Sequence, residues 1–375
     1  HTKGSKTNTS NGMTLTVGGT DTGKNTLMNF IACQMGRYNG RMFFLEIYQA
    51  SRIYILADGG RYLTIHPDEQ ANFSLNPFQL FDSKDNRSFI KTWFAALVLR
   101  PDETLLPANL NQMISECVDY AFDCLQKEHR TLSNVSNLLP TDFERWPELE
   151  CWLKGNNARV DGENAWLFDN VEDSLSFDVD KFGFDVTYLI ERTQSNVSTP
   201  VYMYLLHRIT QSMDGETLTS IIFDEFQQIL TSRFWVEQLK KDIPTIRKNK
   251  GHFVFMTQSP EKIKSSSACA DIIGNNATKL LLPNAGASKE VYQTLFKLNE
   301  DEFDMIKETS LSSRLVLYKQ ADESIICKID LSDLNDEIRV FSGNKESNKL
   351  LTKILEEVGH EPSTWLPEFI KRSAA

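Results

Sequence analysis

The sequence predicts an α/β fold built on a parallel sheet, and two observations carry the prediction. The chain opens with a β-rich run, a glycine-bearing loop, a helical period and a second β-rich run, the start of a parallel α/β sheet. After a long helical stretch the same texture returns, with short apolar runs that end in polar residues between helical periods. The length of 375 residues allows two or three domains, or one large domain with an insertion. Hydrophobic residues at 41% and charged residues at 24% supply a sizeable core and exclude disordered or collagen-like chains.

The elements follow in order. Residues 1–12 are polar and read as a disordered or linker remnant. Residues 13–17 form the first strand, and Gly18 to Gly23 the loop. Residues 25–35 form a helix with Leu27, Met28, Phe30 and Ile31 on one face. A strand at 41–47 and a helix at 50–57 come next, punctuated by Gly59 and Gly60. These belong to a first core part, 13–99. Residues 88–99 and 110–127 are helical in period, and 100–180 reads as a mostly helical insertion whose tryptophans serve as core. A second core part, 181–330, carries a strand signal at 182–186 and a helix at 200–213 with Pro200 at its first turn. Strands at 219–223, 252–256 and 279–282 flank a helix at 234–249. Residues 314–319 and 324–329 read as a hairpin. The remainder, 331–375, is a helical tail in which Gly359 stops a helix over 344–358.

The formal charge of -11 makes long-range attraction to polyanions a poor default. The six cysteines form no C-x-x-C and read as reduced, mostly buried thiols of a cytosolic protein. The longest apolar run, 93–99, is far short of a bilayer span of about 20 residues. The six histidines are scattered and suggest no metal cluster. A start at His1 without a signal peptide suggests a piece of a larger protein.

Gly18, Gly19, Thr20, Asp21, Thr22, Gly23, Lys24 and Asn25 fit G-x-x-x-x-G-K without the final hydroxyl residue. Glycines there let backbone N–H groups wrap a phosphate, the helix start adds positive potential, and Lys24 reaches the outer phosphates. The hydroxyl after the lysine normally holds Mg²⁺. Asn25 replaces it with an amide oxygen on a longer arm, and Thr26 is turned about 100° around the helix. Asp21 puts a carboxylate in an anion-binding loop, which weakens phosphate affinity unless it turns outward. The plain alternative is a β-to-α turn without ligand.

Residues 219–225 are an apolar strand ending in Asp224 and Glu225. Asp224 is placed to hold Mg²⁺ and Glu225 to act as general base on a water. A buried strand ending at Thr257 and Gln258 offers a polar sensor for the outer phosphate. The basic run 240–250 is either a solvated helix face, a source of an arginine (Arg247) for a neighbouring subunit's nucleotide, or a strip facing a polyanion. Arg314 is a second candidate arginine.

These residues, with Gly59 to Leu63, Asn76-Pro77-Phe78, Gly183-Phe184-Asp185, Thr257-Gln258-Ser259-Pro260, Leu282-Pro283-Asn284 and Phe341-Ser342-Gly343, resemble one family over nearly the whole chain. It is the C-terminal ATPase domain of the VirB-four type, with TraC and TrbE, the energising ATPases of type IV secretion and conjugation. The resemblance implies a RecA-like P-loop core with an all-α insertion and a preceding domain. It implies a cytoplasmic protein, peripheral to the bacterial inner membrane, that binds inner-membrane secretion components and other secretion ATPases and forms homo- or hetero-oligomers, often hexameric rings. ATP and Mg²⁺ are the implied cofactors. By position Lys24 is the phosphate lysine, Asp224 and Glu225 the acidic pair, Gln258 the sensor and Arg247 the trans-acting arginine.

The chain departs from the family at Gly19, Asp21, Thr22 and Asn25, and at 46–50, where an acidic and basic cluster is usual. Three functions follow as expectations: an ATP-hydrolysing secretion subunit, a catalytically impaired structural paralogue in a mixed ring, or a DNA-translocating motor of the HerA or FtsK kind.

Overall fold

The computed structural model describes residues 13–69, 73–101, 103–155, 160–191, 195–267, 269–275 and 278–374. The 1–12 segment, expected to be a linker remnant, lies outside the described residues. Among the described residues nine strands form one sheet: β1 (Met13–Val17), β2 (Arg41–Glu46), β3 (Arg61–Thr64), β4 (Lys181–Asp185), β5 (Thr219–Phe223), β6 (Gly251–Thr257), β7 (Thr278–Leu281), β8 (Leu315–Gln320) and β9 (Glu323–Lys328). Their order is β3-β4-β2-β5-β6-β1-β7-β8-β9. The first seven strands in that order run parallel, and β8 and β9 close one edge as an antiparallel hairpin. The α/β expectation and the hairpin are borne out.

Strand period explains the layers. In β2, Phe43 and Leu45 face one side, and Met42 and Phe44 the other; all four are buried. The Phe43 face meets the helices Lys84–Leu97 and Ser195–Gln211 in the larger core. The Phe44 face meets Ile222, Val254 and Met256 and is roofed by the tail, where Phe341, Leu355, Trp365 and Phe369 pack inward. Among the described residues no strand lies between β3 and β4. The helices Ala108–Cys124, Leu132–Ser136, Trp146–Glu150 and Ala165–Phe168 occupy that interval. Trp93 and Trp152 are fully buried there, and Trp152 Nε1 donates to the Leu97 carbonyl at 3.0 Å.

Three local expectations change. Residues 61–64 form an edge strand where only a glycine stop was read, because β4 supplies a parallel ladder that no local pattern announces. Pro200 sits inside the Ser195–Gln211 helix, not at its first turn; a single missing N–H leaves the buried face of that helix intact. Of the six free cysteines only Cys117 is buried, while Cys33 and Cys124 are exposed, so the thiols are not mostly core.

Candidate nucleotide site

Parallel strands place their following loops at one edge of the sheet, and ligands of such sheets sit outside those carboxyl ends. The register sets Val17 level with Thr257, and Phe223 pairs with Phe255. The glycine loop after β1, the acidic pair after β5 and the turn after β6 therefore meet at one edge. With adjacent strands about 4.8 Å apart, β1 and β5 lie about 10 Å from each other across β6.

The loop is built by close approach. A Cβ on Gly18 would stand 2.7 Å from Thr22 Oγ1 and 3.0 Å from Leu282 Cβ. Gly23 has φ +83°, a left-handed conformation that glycine takes without a Cβ penalty, and the Lys24–Met35 helix starts from it. Thr22 Oγ1 donates to the Gly19 carbonyl at 2.9 Å. Asp21 (φ 59°) is exposed at the loop's tip.

Lys24 is buried, and its Nζ donates back to the carbonyls of Gly18 and Gly19 at 2.8 and 2.9 Å. Burial lowers its pKa, opposed by the charges of Glu225, Asp224 and Asp21. Asn25 Nδ2 makes a long 3.4 Å hydrogen bond to Asp224 Oδ2, which joins the loop's helix to the acidic pair. Burial, then the neighbouring Glu225 charge, pushes Asp224 up to about 7. Glu225 is buried with φ 48°, a left-handed turn that aims the chain away from the strand. Thr20 Oγ1 donates to Gln258 Oε1 at 2.8 Å, which fastens the loop tip to the turn after β6.

These groups wall one cavity of about 420 Å³ that includes Lys24, Asn25, Asp224, Glu225 and Gln258. Thr20, Asp21, Thr22, Gly23 and Thr26 line it from the loop side. Thr26 Oγ1 lies 2.9 Å from Ser342 Oγ, so Ser342 and Gly343 of the tail form a further wall.

Arg247 is not among these residues. It is exposed in the last turn of the Arg233–Lys248 helix, which leads into the start of β6, whereas the cavity lies beyond its end. Seven strand residues, roughly 20 Å, separate the two edges. The arginine beside the loop is Arg314: its Nη1 is 3.6 Å from the position a Cβ on Gly23 would take. It borders a second cavity of about 420 Å³ with Thr22, Gly23, Thr26, Leu27 and Val316.

Sequence reasoning did not find Glu46 and Gln227. Glu46 ends β2 and is 2% exposed; its Oε1 accepts from the Ser51 N–H (2.8 Å) and the Tyr62 hydroxyl (2.7 Å). Burial raises it to about 8. The acidic residue closing an apolar strand was its only signal. Gln227 carried none, because the Thr257 hydroxyl that holds its other end comes from β6.

Asp224 carries a hard carboxylate oxygen, the kind Mg²⁺ takes, while Asn25 turns its amide nitrogen to Asp224, so its oxygen reaches a shared cation only when the amide turns over. Among the described residues no cluster of three or more His, Cys, Asp or Glu groups suits a metal. Asp224 and a turned Asn25 amide are two donors, which fits a cation that takes its remaining ligands from water or phosphate.

Sequence comparison decides the kinship. The chain is 31% identical over 364 residues to the type IV secretion system protein virB4 of Bartonella henselae, covering 96% of this chain. This chain is a homologue of VirB4 proteins. The resemblance read from the sequence blocks is thereby borne out. A VirB4 of Brucella suis is 31% identical over 378 residues, and PtlC of Bordetella pertussis, also a type IV secretion system protein, is 28% identical over 377. Each match covers 97% of this chain. The chain spans 45% of the length of all three relatives. No family model matches it. The solved VirB4 of Thermoanaerobacter pseudethanolicus superposes with a TM-score of 0.68 at 15% identity, over 84% of this chain and 88% of that one. The plasmid coupling protein TrwB in complex with ADP and Mg²⁺ gives 0.56 at 12% identity, covering 86% of each chain. These likenesses support the RecA-like P-loop fold. Among the described residues no helix is long and apolar enough to cross a membrane.

Proposed function

We propose that this chain is the ATP-binding part of a subunit that energises a type IV secretion or conjugation system. The observation that carries the reading is the convergence of Lys24, Asp224, Glu225 and Gln258 on one cavity beside a glycine loop. The VirB4 relatives supply the system, and a TrwB bound to ADP and Mg²⁺ supports nucleotide and metal for this architecture. Lys24 exchanges its two loop carbonyls for phosphate oxygens. Glu225 accepts a proton from water as the water oxygen bonds to the γ-phosphorus and the bond to ADP breaks. Asp224 and Asn25 would hold Mg²⁺, which supplies charge neutralisation on the phosphates. Gln258 contacts the outer phosphate.

Arg247, absent from its own chain's cavity, is exposed and thus available to a neighbouring subunit's nucleotide in a homo- or hetero-oligomeric ring, a hexamer in this reading. The inner-membrane secretion components and other secretion ATPases are its partners, and they hold a cytoplasmic chain at the membrane. The domain limits 13–99, 100–180, 181–330 and 331–375 belong to the same proposal.

A second reading is an impaired structural paralogue in a mixed ring. Asn25 favours it, since its amide nitrogen, not an oxygen, faces Asp224. A DNA-translocating motor has less support. The Arg233–Lys248 helix pairs Lys240 with Glu237 at 2.9 Å and reads as a solvated face. Calorimetric titration with ATP, with and without Mg²⁺, and phosphate release compared with Lys24→Ala and Glu225→Gln test the proposal. Binding that Lys24→Ala abolishes supports a nucleotide site. Phosphate release no greater than in the two variants removes hydrolysis and leaves the structural paralogue.

A further inference from the structure

Two residues beyond Glu225 the side chain of Gln227 is 1% exposed and bonded at both ends. Its Nε2 donates to Glu225 Oε2, and its Oε1 accepts from Thr257 Oγ1 at 2.6 Å. The polarity of this chain of bonds follows from chemistry. The Ser259 N–H donates to Thr257 Oγ1 at 3.0 Å, so the threonine's own proton is free to be donated onward. The amide nitrogen faces Glu225 and the amide oxygen faces Thr257.

The relay crosses the sheet. Thr257 and Ser259 flank Gln258, which Thr20 ties to the tip of the phosphate loop. Glu225 belongs to the neighbouring strand's exit and stands in a left-handed conformation, which costs about 1–2 kcal/mol in a non-glycine residue and needs support from its surroundings. The bond from Gln227 occupies one carboxylate oxygen and supplies that support.

We propose that Gln227 is a positioning residue that holds the general base Glu225 in register with the 257–259 turn, through the Thr257 hydroxyl. The inference rests on the hydrolysis reading above. The water and phosphate are touched by Glu225 and Gln258; Gln227 acts through them. A shift of the 257–259 turn on γ-phosphate binding or loss is thereby passed to the base as a hydrogen-bond rearrangement, in a buried site where such bonds are directional and strong.

The test uses the full chain, with steady-state phosphate release and fluorescent-ATP binding. Gln227→Leu and Thr257→Val are expected to lower kcat roughly tenfold or more, since misplacing a general base forfeits part of its 10²–10⁴-fold contribution. KM and the ATP Kd stay within about threefold, because neither side chain belongs to the phosphate-binding set. The double variant loses no more than the worse single one, and Thr257→Ser, which keeps the hydroxyl, recovers most of what Thr257→Val loses. Gln227→Met serves if the leucine variant fails to fold. A Gln227→Leu kcat within twofold of wild type, losses that multiply in the double variant, or an equal loss of ATP affinity would each overturn the proposal.

A melting-temperature cycle of Glu225→Ala and Gln227→Leu separates this inference from the hydrolysis reading. Coupled shifts, with the double variant moving less than the sum of the singles, support the bridge without reference to turnover; additive shifts reject it. Coupled shifts with no wild-type phosphate release above Lys24→Ala reject hydrolysis and keep the bridge. Wild-type release that Gln227→Leu leaves intact keeps hydrolysis and rejects the positioning role.

Discussion

Replacing Glu46 by glutamine should stabilise the ligand-free chain at neutral pH. Glu46 is buried at the tip of β2, and its folded pKa stands at about 8, raised from 4.5 mainly by burial. In the unfolded chain the same carboxyl ionises at its ordinary value. Between these two values the folded state holds a proton that the unfolded state has lost, so stability is full below about 4.5 and falls as pH rises towards 8. One pKa unit is worth about 1.4 kcal/mol. At pH 7 the two and a half units already crossed cost about 3 kcal/mol, and the whole window costs about 5.

Glutamine keeps an oxygen that accepts the same bonds from Ser51 and Tyr62, and it does not ionise. For 375 residues the unfolding entropy makes 1 kcal/mol about 1.3 °C. Glu46→Gln should therefore melt about 4 °C above wild type at pH 7 and within 1 °C of it at pH 4.5. Differential scanning calorimetry or fluorimetry across pH 4.5–8 reads this directly. A variant that melts below wild type at pH 7, or a gap that does not change with pH, would refute the argument: Glu46 would then be ionised in the fold and paired with a charge not identified above.

The loop yields three further expectations. Asp21→Gly combined with Asn25→Thr removes a carboxylate from the glycine loop and supplies a hydroxyl after Lys24. It should tighten ATP binding by roughly tenfold, worth about 1.4 kcal/mol, in calorimetry with Mg²⁺; unchanged affinity would show that neither residue faces the phosphates. Gly23→Ala forces a Cβ into φ +83°, costing about 1–2 kcal/mol, and should weaken nucleotide binding while far-ultraviolet circular dichroism stays native. Arg314→Ala should weaken ATP binding by roughly threefold to tenfold, an effect that shrinks as salt rises, because an exposed guanidinium beside the loop acts through screened charge. Equal affinity for wild type and Arg314→Ala at low salt would exclude it from the site.

Periodicity and turn chemistry determined much of this protein before any coordinates. The opening strand, glycine loop and helix are local: Gly18 and Gly23 are required by close approach and positive φ, and the Asn344 cap and Gly359 stop bound the Lys345–Val358 helix by their own geometry. The acidic pair after β5 was legible because a buried strand must end where charge begins. Tertiary structure alone decided what depends on strand order. Nothing in the sequence says that β6 lies between β1 and β5, and that placement is what lets Thr257 reach Gln227. Pairing with β4 decided that residues 61–64 extend. The tail's role as a wall of the cavity and a roof over one sheet face came from burial of Phe341, Trp365 and Phe369 against residues about 300 positions away, beyond any local pattern. Arg247 and Arg314 look alike as single letters. Only the direction of the strands beside them sends one to the far edge and sets the other against the glycine loop.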